Sequence, residues 1–366
     1  MHPRAPDRLS RRALLAAGLS LTACKGRAQN QPPPQRGPGP ALKSLAPFPL
    51  GCAVSSSSLA QPAFAALVTR HFSQLTAEWE MKMEYILKED GTYRFDRPDL
   101  IAGFAREHGM RLFAHNLIWY AQDPVAFKRL DGQGAAFANA YANYIRQVAG
   151  RYRGQAVGWD VVNEPVAEDG NGYRPSIWSR NLGPLDYIRR AYDAAQEADP
   201  GAVLFINDYN LESNPRKRAT FMRLVEQLLK AGTPIGGLGT QTHLGADLAP
   251  GSITTAVREL ASFGLPIHVS ELDISVNHPR GPFTDRADLL ARQARLYAEA
   301  VDALSALPAR QRFALTVWGL RDDLSWLRSD KENPRPPWDA PLLFDDAGEP
   351  KDTFWAVADA LKDGRA

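Results

Sequence analysis

Cysteine is nearly missing from this chain of 366 residues. Cys24 and Cys52 cannot build a disulfide framework, and no CxxC or Cys/His spacing offers a structural zinc site. Stability must therefore come from a hydrophobic core, which a chain 44% hydrophobic and 23% charged is large enough to form. Neither GxGxxG nor GxxxxGK(S/T) occurs, so no nucleotide-phosphate cradle is encoded. HExxH and HxH are absent too, and of the seven histidines only His115 and His243 end strand-like runs; neither a metal nor another cofactor is expected. Charge of one sign is not in excess. The formal net charge is +2, and Arg4, Arg8, Arg11 and Arg12 gather positive charge into the first dozen residues, leaving no footprint for nucleic acid.

A long apolar run is also lacking, and the run from Ala13 to Leu21 is too short to span a bilayer. It follows Ser10-Arg11-Arg12, which resembles a twin-arginine export signal, and precedes Leu21-Thr22-Ala23-Cys24, which resembles the lipobox of bacterial lipoproteins. Residues 1–23 are read as a signal peptide and Cys24 as a lipidated mature N-terminus. Residues 24–44, with Pro32, Pro33, Pro34, Pro38 and Pro40, are read as an extended tether. The folded domain is expected over 45–366. The expected location is the bacterial cell envelope, lipid-anchored in the periplasm or at the surface, with a soluble periplasmic or secreted form as the alternative.

Beyond the tether, short β-rich runs alternate with helical patterns, which calls for a parallel α/β architecture. Eight strands are predicted: Leu50–Val54, Phe72–Thr76, Arg111–His115, Val157–Val162, Val203–Asn207, Gly237–Gln241, Pro266–Ser270 and Phe313–Trp318. Helices are predicted around Phe64, Phe104, Tyr144, Ile188, Leu224, Val257 and Leu296, and from Thr353 to Leu361. Eight repeats of roughly 40 residues suit a single (β/α)8 barrel. A doubly wound sheet lacks its expected glycine-rich turn, since Val54 is followed by Ser-Ser-Ser-Ser-Leu.

A barrel concentrates function where its strands end. Glu78, Trp79, Glu80 and Lys82 follow the second predicted strand, and His115, Asn116, Trp119 and Gln122 the third. Asn163 and Glu164 end the fourth, Asn207 to Asn210 the fifth, and Gln241 and His243 the sixth. Glu271 and Asp273 end the seventh, and Trp318, Asp322 and Trp326 the eighth. Acids, amides and indoles suit a neutral polyhydroxylated ligand, whose hydroxyls pair with carboxylates and amides while Trp covers the apolar sugar face. Glycoside hydrolysis needs two carboxyl groups flanking the scissile bond. Glu164 and Glu271 are the natural pair, both directly ending buried strand-like runs.

At these residues the sequence resembles the family 10 glycoside hydrolases, xylanases of the (β/α)8 clan whose catalytic glutamates follow the fourth and seventh barrel strands. The resemblance runs from Leu50 to Phe354. It rests on Trp159-Asp160-Val161-Val162-Asn163-Glu164-Pro165, Ser270-Glu271-Leu272-Asp273, Asn207-Asp208-Tyr209-Asn210, Gly239-Thr240-Gln241-Thr242-His243-Leu244, Trp318-Gly319 with Asp322 and Ser325-Trp326, and Pro341 to Asp345. It implies an endo-1,4-beta-xylanase that degrades xylan by double displacement, with Glu271 as nucleophile and Glu164 as acid/base. His243 would hydrogen-bond Glu271, Asp273 would orient His243, and Asn163 would meet the sugar 2-hydroxyl. Glu78, Lys82, His115, Trp119, Gln122, Trp318 and Trp326 match glycone-side residues, and Tyr209 matches the aromatic on the leaving-group side. Asn207, Gln241 and His243 complete the expected substrate-binding set.

Two positions depart from the family pattern. Glu78-Trp79-Glu80-Met81-Lys82 puts an indole where Glu-Asn-x-x-Lys carries an amide, so Trp79 stacks on a sugar, points outward or blocks the distal glycone subsite. Tyr120 stands where a second histidine is common. A beta-1,4-glucanase on the same barrel, and a lipid-anchored glycan-binding protein without turnover, are the competing readings. A monomer is expected, touching the membrane only through the lipid anchor. Cys52 is expected to be buried without a function.

Overall fold

Strands β1 (Leu50–Val54), β2 (Gln74–Ala77), β3 (Arg111–Trp119), β4 (Ala156–Asn163), β5 (Val203–Asp208) and β6 (Gly237–Thr240) pair in sequence order, each parallel to the next. The sheet continues from β6 to β8 (Ile267–Ser275), then to β9 (Arg312–Val317), and β9 pairs with β1 to close the ring. The architecture is the predicted (β/α)8 barrel. This computed structural model describes residues 37–277, 285–329 and 338–364. The expected signal peptide and Cys24 lie outside the described residues.

A ninth segment, β7 (His243–Gly245), also lies parallel to β8, with His243 opposite Asp273. Together β6 and β7 make one barrel strand broken at Gln241 and Thr242, where Thr242 adopts a left-handed φ of 64°. That break re-aims both Gln241 and His243.

The helices form where the apolar residues recur at three- and four-residue spacing. Over Asp186–Ala198, Tyr187, Ile188, Ala191, Tyr192, Ala194 and Ala195 form the buried stripe. Helix Pro215–Lys230 starts with proline, whose missing N–H costs nothing in the first turn, and the Asn214 side chain accepts from the Lys217 N–H.

Packing starts earlier than the expected boundary at Leu45. The short helix Leu42–Leu45 buries Leu42 in the core, and the Arg70 guanidinium donates to the Gly39 carbonyl at 2.7 Å. One leucine fully buried is worth about 1.5–3 kcal/mol, a gain that the proline-rich composition of the segment conceals.

Phe113, Phe205, His268 and Phe313 fill the barrel axis with ring centroids 4.4 to 5.7 Å apart along the Phe113 contacts. A Cβ on Gly237 would lie 2.2 Å from the Phe205 ring, so only glycine lets that ring enter. Above this layer the register breaks. Between His115 and Ile118, β3 carries one residue more than β4 opposite; between Asp160 and Val162, β4 carries one more than β5; between Val269 and Leu272, β8 carries one more than β9. Such bulges turn side chains out of the regular alternation, and all three lie at the end of the barrel where the polar residues gather.

Candidate active site

Glu271 lies within the β8 bulge and is buried. Its Oε1 accepts from Asn207 Nδ2 at 2.8 Å, and its Oε2 faces His243 Nε2 at 3.3 Å. Asp273 Oδ2 holds the other imidazole nitrogen of His243 at 2.9 Å and accepts from the Trp326 indole N–H at 2.8 Å. Below them, His115 Nδ1 sits 2.8 Å from Asp160 and 4.0 Å from Glu271 Oε1. Burial alone would push Glu271 up, but the charge of His115, the hydrogen bond and charge of His243, and Lys82 hold it down at about 2. Burial opposes charge on His243 as well, yet Asp273 and Glu271 raise it to about 10. The result is an ionised carboxylate facing an imidazolium.

Glu164 is built differently. It follows β4 directly and takes a left-handed φ of 57°, a conformation that disfavours a side chain. Three bonds over-determine it: its N–H donates to the Asn207 carbonyl at 2.7 Å, its own carbonyl accepts from Arg174 Nε at 3.1 Å, and Oε1 accepts from Gln241 Nε2 at 2.9 Å. Strain held in this way points to a functional position.

Three amides link the two acids. Asn163 Oδ1 accepts from both Asn207 Nδ2 at 3.0 Å and Gln241 Nε2 at 3.2 Å, while Asn163 Nδ2 donates to Glu164 Oε1 at 3.1 Å. Ser270 donates to Asn207 Oδ1 at 2.8 Å. A Cβ on Gly239 would stand 2.3 Å from that same oxygen, so the glycine beneath leaves room for the amide.

Around this centre, Lys82 Nζ lies 4.9 Å from the Trp119 ring and 5.8 Å from the Trp318 ring. Burial lifts Glu78 to about 7; Lys82 pulls against it while Glu80 and Asp273 reinforce it. The Trp326 ring lies 5.2 Å from His243, and the Trp318 ring 5.2 Å from His115. Three residues expected to meet the sugar turn their polar atoms inward instead. Asn207 is fully engaged with Asn163, Glu271 and Ser270. Gln122 accepts from the Glu84 N–H at 3.0 Å and donates to its carboxylate at 3.3 Å. His115 is closed between Asp160, Asn116 and Trp318. All three hold other groups in place. Trp79 joins none of these: its ring packs edge-on against Tyr85, with centroids 5.1 Å apart.

Tyr209 lines a cleft of about 830 Å³ with His243, Asp273 and Trp326. Arg174 donates to the Tyr209 hydroxyl at 2.9 Å and lies 4.1 Å from the Tyr120 ring. The Tyr209 hydroxyl also donates to Glu168, and Lys217 Nζ lies 3.4 Å from the Tyr209 ring while pairing with Asp208 at 2.9 Å. Asp160, Glu168, Arg174 and Lys217 also belong to the site, though they are not among the residues expected from the sequence. Asp160, a lone acid inside an apolar strand, carried a signal; the others, on a loop and a helix, read as solvated charges.

His115, Asp160 and Glu271 offer one ligand-type atom each within 4.8 Å of one another, the single such group among the described residues. Those atoms are already matched, His115 Nδ1 to Asp160 and Glu271 Oε1 to Asn207. The trio is thus held by hydrogen bonds and charge, although Asp160 Oδ1 is buried without a hydrogen-bond partner among the described residues. Cys52 is buried in β1, and burial pushes its thiol far up, which makes it unreactive.

The sequence model described as Glycosyl hydrolase family 10 matches residues 41–360. The chain is similar to endo-1,4-beta-xylanase A of Thermoanaerobacterium saccharolyticum, 37% identical over 86% of this chain and 27% of that protein. It is also similar to endo-1,4-beta-xylanase B of Paenibacillus barcinonensis, 34% identical over 85% of this chain and 94% of that protein. Among solved structures, that of a thermostable mutant of a xylanase from Cellvibrio japonicus superposes with a TM-score of 0.79 at 33% identity, covering 88% of this chain and 99% of that one. Against five of the curated relatives the chain spans only 27–57% of their length.

Proposed function

The chain belongs to glycosyl hydrolase family 10, and from that premise we propose that it is a retaining endo-1,4-beta-xylanase acting on xylan or xylo-oligosaccharides. The observation that carries this reading is the pair Glu164 and Glu271, joined through Asn163, Asn207 and Gln241 yet given unlike surroundings. Glu271, paired with His243, attacks the anomeric carbon as the bond to the leaving oxygen breaks, and Glu164 gives that oxygen its proton. Glu164, now ionised, takes a proton from water, whose oxygen attacks the same carbon and releases Glu271. No cofactor enters either step.

Incubation of the full chain with unsubstituted xylan and with carboxymethyl-cellulose, beside Glu271→Ala, tests it. Short xylo-oligosaccharides from the wild type and none from the variant are expected. Preferential cleavage of the cellulose derivative would instead favour the glucanase, and binding without release of any product the lectin-like alternative.

We also propose that the protein is exported and lipid-anchored at Cys24 in the cell envelope, on the strength of the Arg11-Arg12 and Leu21-Thr22-Ala23-Cys24 patterns. Labelled fatty acid incorporated by the wild type but not by Cys24→Ser supports the anchor; equal fractionation of both with soluble protein rejects it.

A further inference from the structure

Trp79 is 37% exposed, a large apolar surface for a residue at the end of a barrel strand. Its ring meets the Tyr85 ring edge-on and lies 5.4 Å from the Arg97 guanidinium, itself 5.9 Å from Tyr85. Arg94 covers the Tyr85 ring at 3.7 Å, and the Tyr85 hydroxyl donates to Asp96 at 2.8 Å. The rings and Arg94 are thus fixed. Arg97 is exposed, and among the described residues no carboxylate pairs with it. It lies in the first turn of helix Asp96–Glu107. That helix follows β2, so its start lies on the face where the strands end, the face that also carries Glu78 and Lys82.

We propose that Trp79 and Arg97 form a binding site for a uronic-acid branch on the xylan chain: the indole face takes the branch sugar and the Arg97 guanidinium its carboxylate. This rests on the xylanase reading and sharpens its substrate. A neutral sugar platform needs the indole alone. The exposed cation beside it is the feature that selects an acidic ligand, and its planar fork matches a carboxylate.

Binding and turnover test this separately, in the full chain. The inactive Glu271→Gln protein is titrated calorimetrically with linear xylohexaose and with xylo-oligosaccharides carrying one glucuronic-acid branch at each successive position. The same titrations are run with Arg97→Gln added. At least one branched ligand is expected to bind more tightly than the linear one and to lose about two- to fivefold in affinity with Arg97→Gln, the size of one exposed ion pair. That loss should fade at high salt. In protein retaining Glu271, the ratio of kcat/KM on glucuronoxylan to that on unbranched xylan should fall by a similar factor. Branched ligands that never outbind the linear one, or a ratio unmoved by Arg97→Gln, overturn the site. A linear xylohexaose that does not bind overturns the xylanase reading instead, and Arg97-dependent binding of the branched ligand would still uphold the site.

Discussion

Arg174 donates its Nε–H to the backbone carbonyl of Glu164 at 3.1 Å, and the same guanidinium reaches the Tyr209 hydroxyl at 2.9 Å. A side chain on the loop after β4 thus fixes the backbone of Glu164, the proposed acid/base, in its left-handed conformation. Arg174→Gln is expected to lower kcat by about tenfold, the cost of one lost charged hydrogen bond, and to change KM for short linear substrates less. An unchanged kcat would show that the bonds with Asn207, Gln241 and Asn163 suffice.

Two groups of opposite sign set the pH range of stability. Glu271 is held at about 2, below its unfolded range near 4.5, so its contribution is present above about 4.5 and lost as pH falls toward 2. His243 is raised to about 10, so its contribution is present below about 6.5 and lost as pH rises toward 10. Thermal unfolding scanned over pH should decline toward acid as the Glu271 contribution is lost and toward alkali as the His243 contribution is lost. His243→Asn should flatten the alkaline decline, and an unaltered decline would remove His243 as its cause.

Glu78 follows the same sign as His243. Raised to about 7, it favours the native state while protonated and costs stability once ionised. Glu78→Gln should stabilise the protein by roughly 1–2 kcal/mol at pH 8, allowing for its partial exposure, and change little at pH 4. Equal unfolding temperatures at pH 8 would sink this assignment. If Glu78 binds the sugar beside Lys82, as the family resemblance implies, kcat/KM should fall as well.

Gly239→Ala places a methyl group 2.3 Å from Asn207 Oδ1. Relieving that clash should cost about 1–3 kcal/mol and shift the amide that bonds both Asn163 and Glu271. Activity should fall more steeply than stability, as kcat compared with the unfolding midpoint would reveal.

Lys217 is fully buried with Asp208, which also accepts from the Val166 N–H at 3.0 Å. Lys217→Met strands a buried carboxylate and should destabilise the fold by about 3–5 kcal/mol, measurable by denaturant titration.

The barrel was legible because most strands carry a short apolar run bounded by polar residues, β2 with its Gln-Leu-Thr-Ala being the weakest. Where strands end was less legible. Apolar patterning stops at His115 and Ser270, but β3 runs on to Trp119 and β8 to Ser275, because the polar residues Asn116, Glu271 and Asp273 stay in strands. Phe72 was placed in the second strand and instead ends a helix. Glu164 and Glu271 could be read from their positions directly after apolar strands. Arg174 could not, since it acts on a backbone carbonyl and the sequence carries no mark of that. Lys217 sits in a basic run that resembles solvated surface, and only the packed fold reveals Asp208 beneath it. Asn207 read as a sugar ligand because composition gives the chemistry of an amide without its direction.

Leu50 pairs with Leu315, and Cys52 with Val317. The first and last strands of the ring are therefore seam partners, and no strand of the ring is left as an edge from which a second chain could template aggregation. The same seam has a kinetic side. β1 can pair with β2 early, but its second neighbour, β9, is made only after the other strands, so until β9 emerges the partly made sheet shows two open edges. Assembly is thus least protected just before completion, and substitutions that slow the docking of β9 should lower soluble yield without altering the finished enzyme.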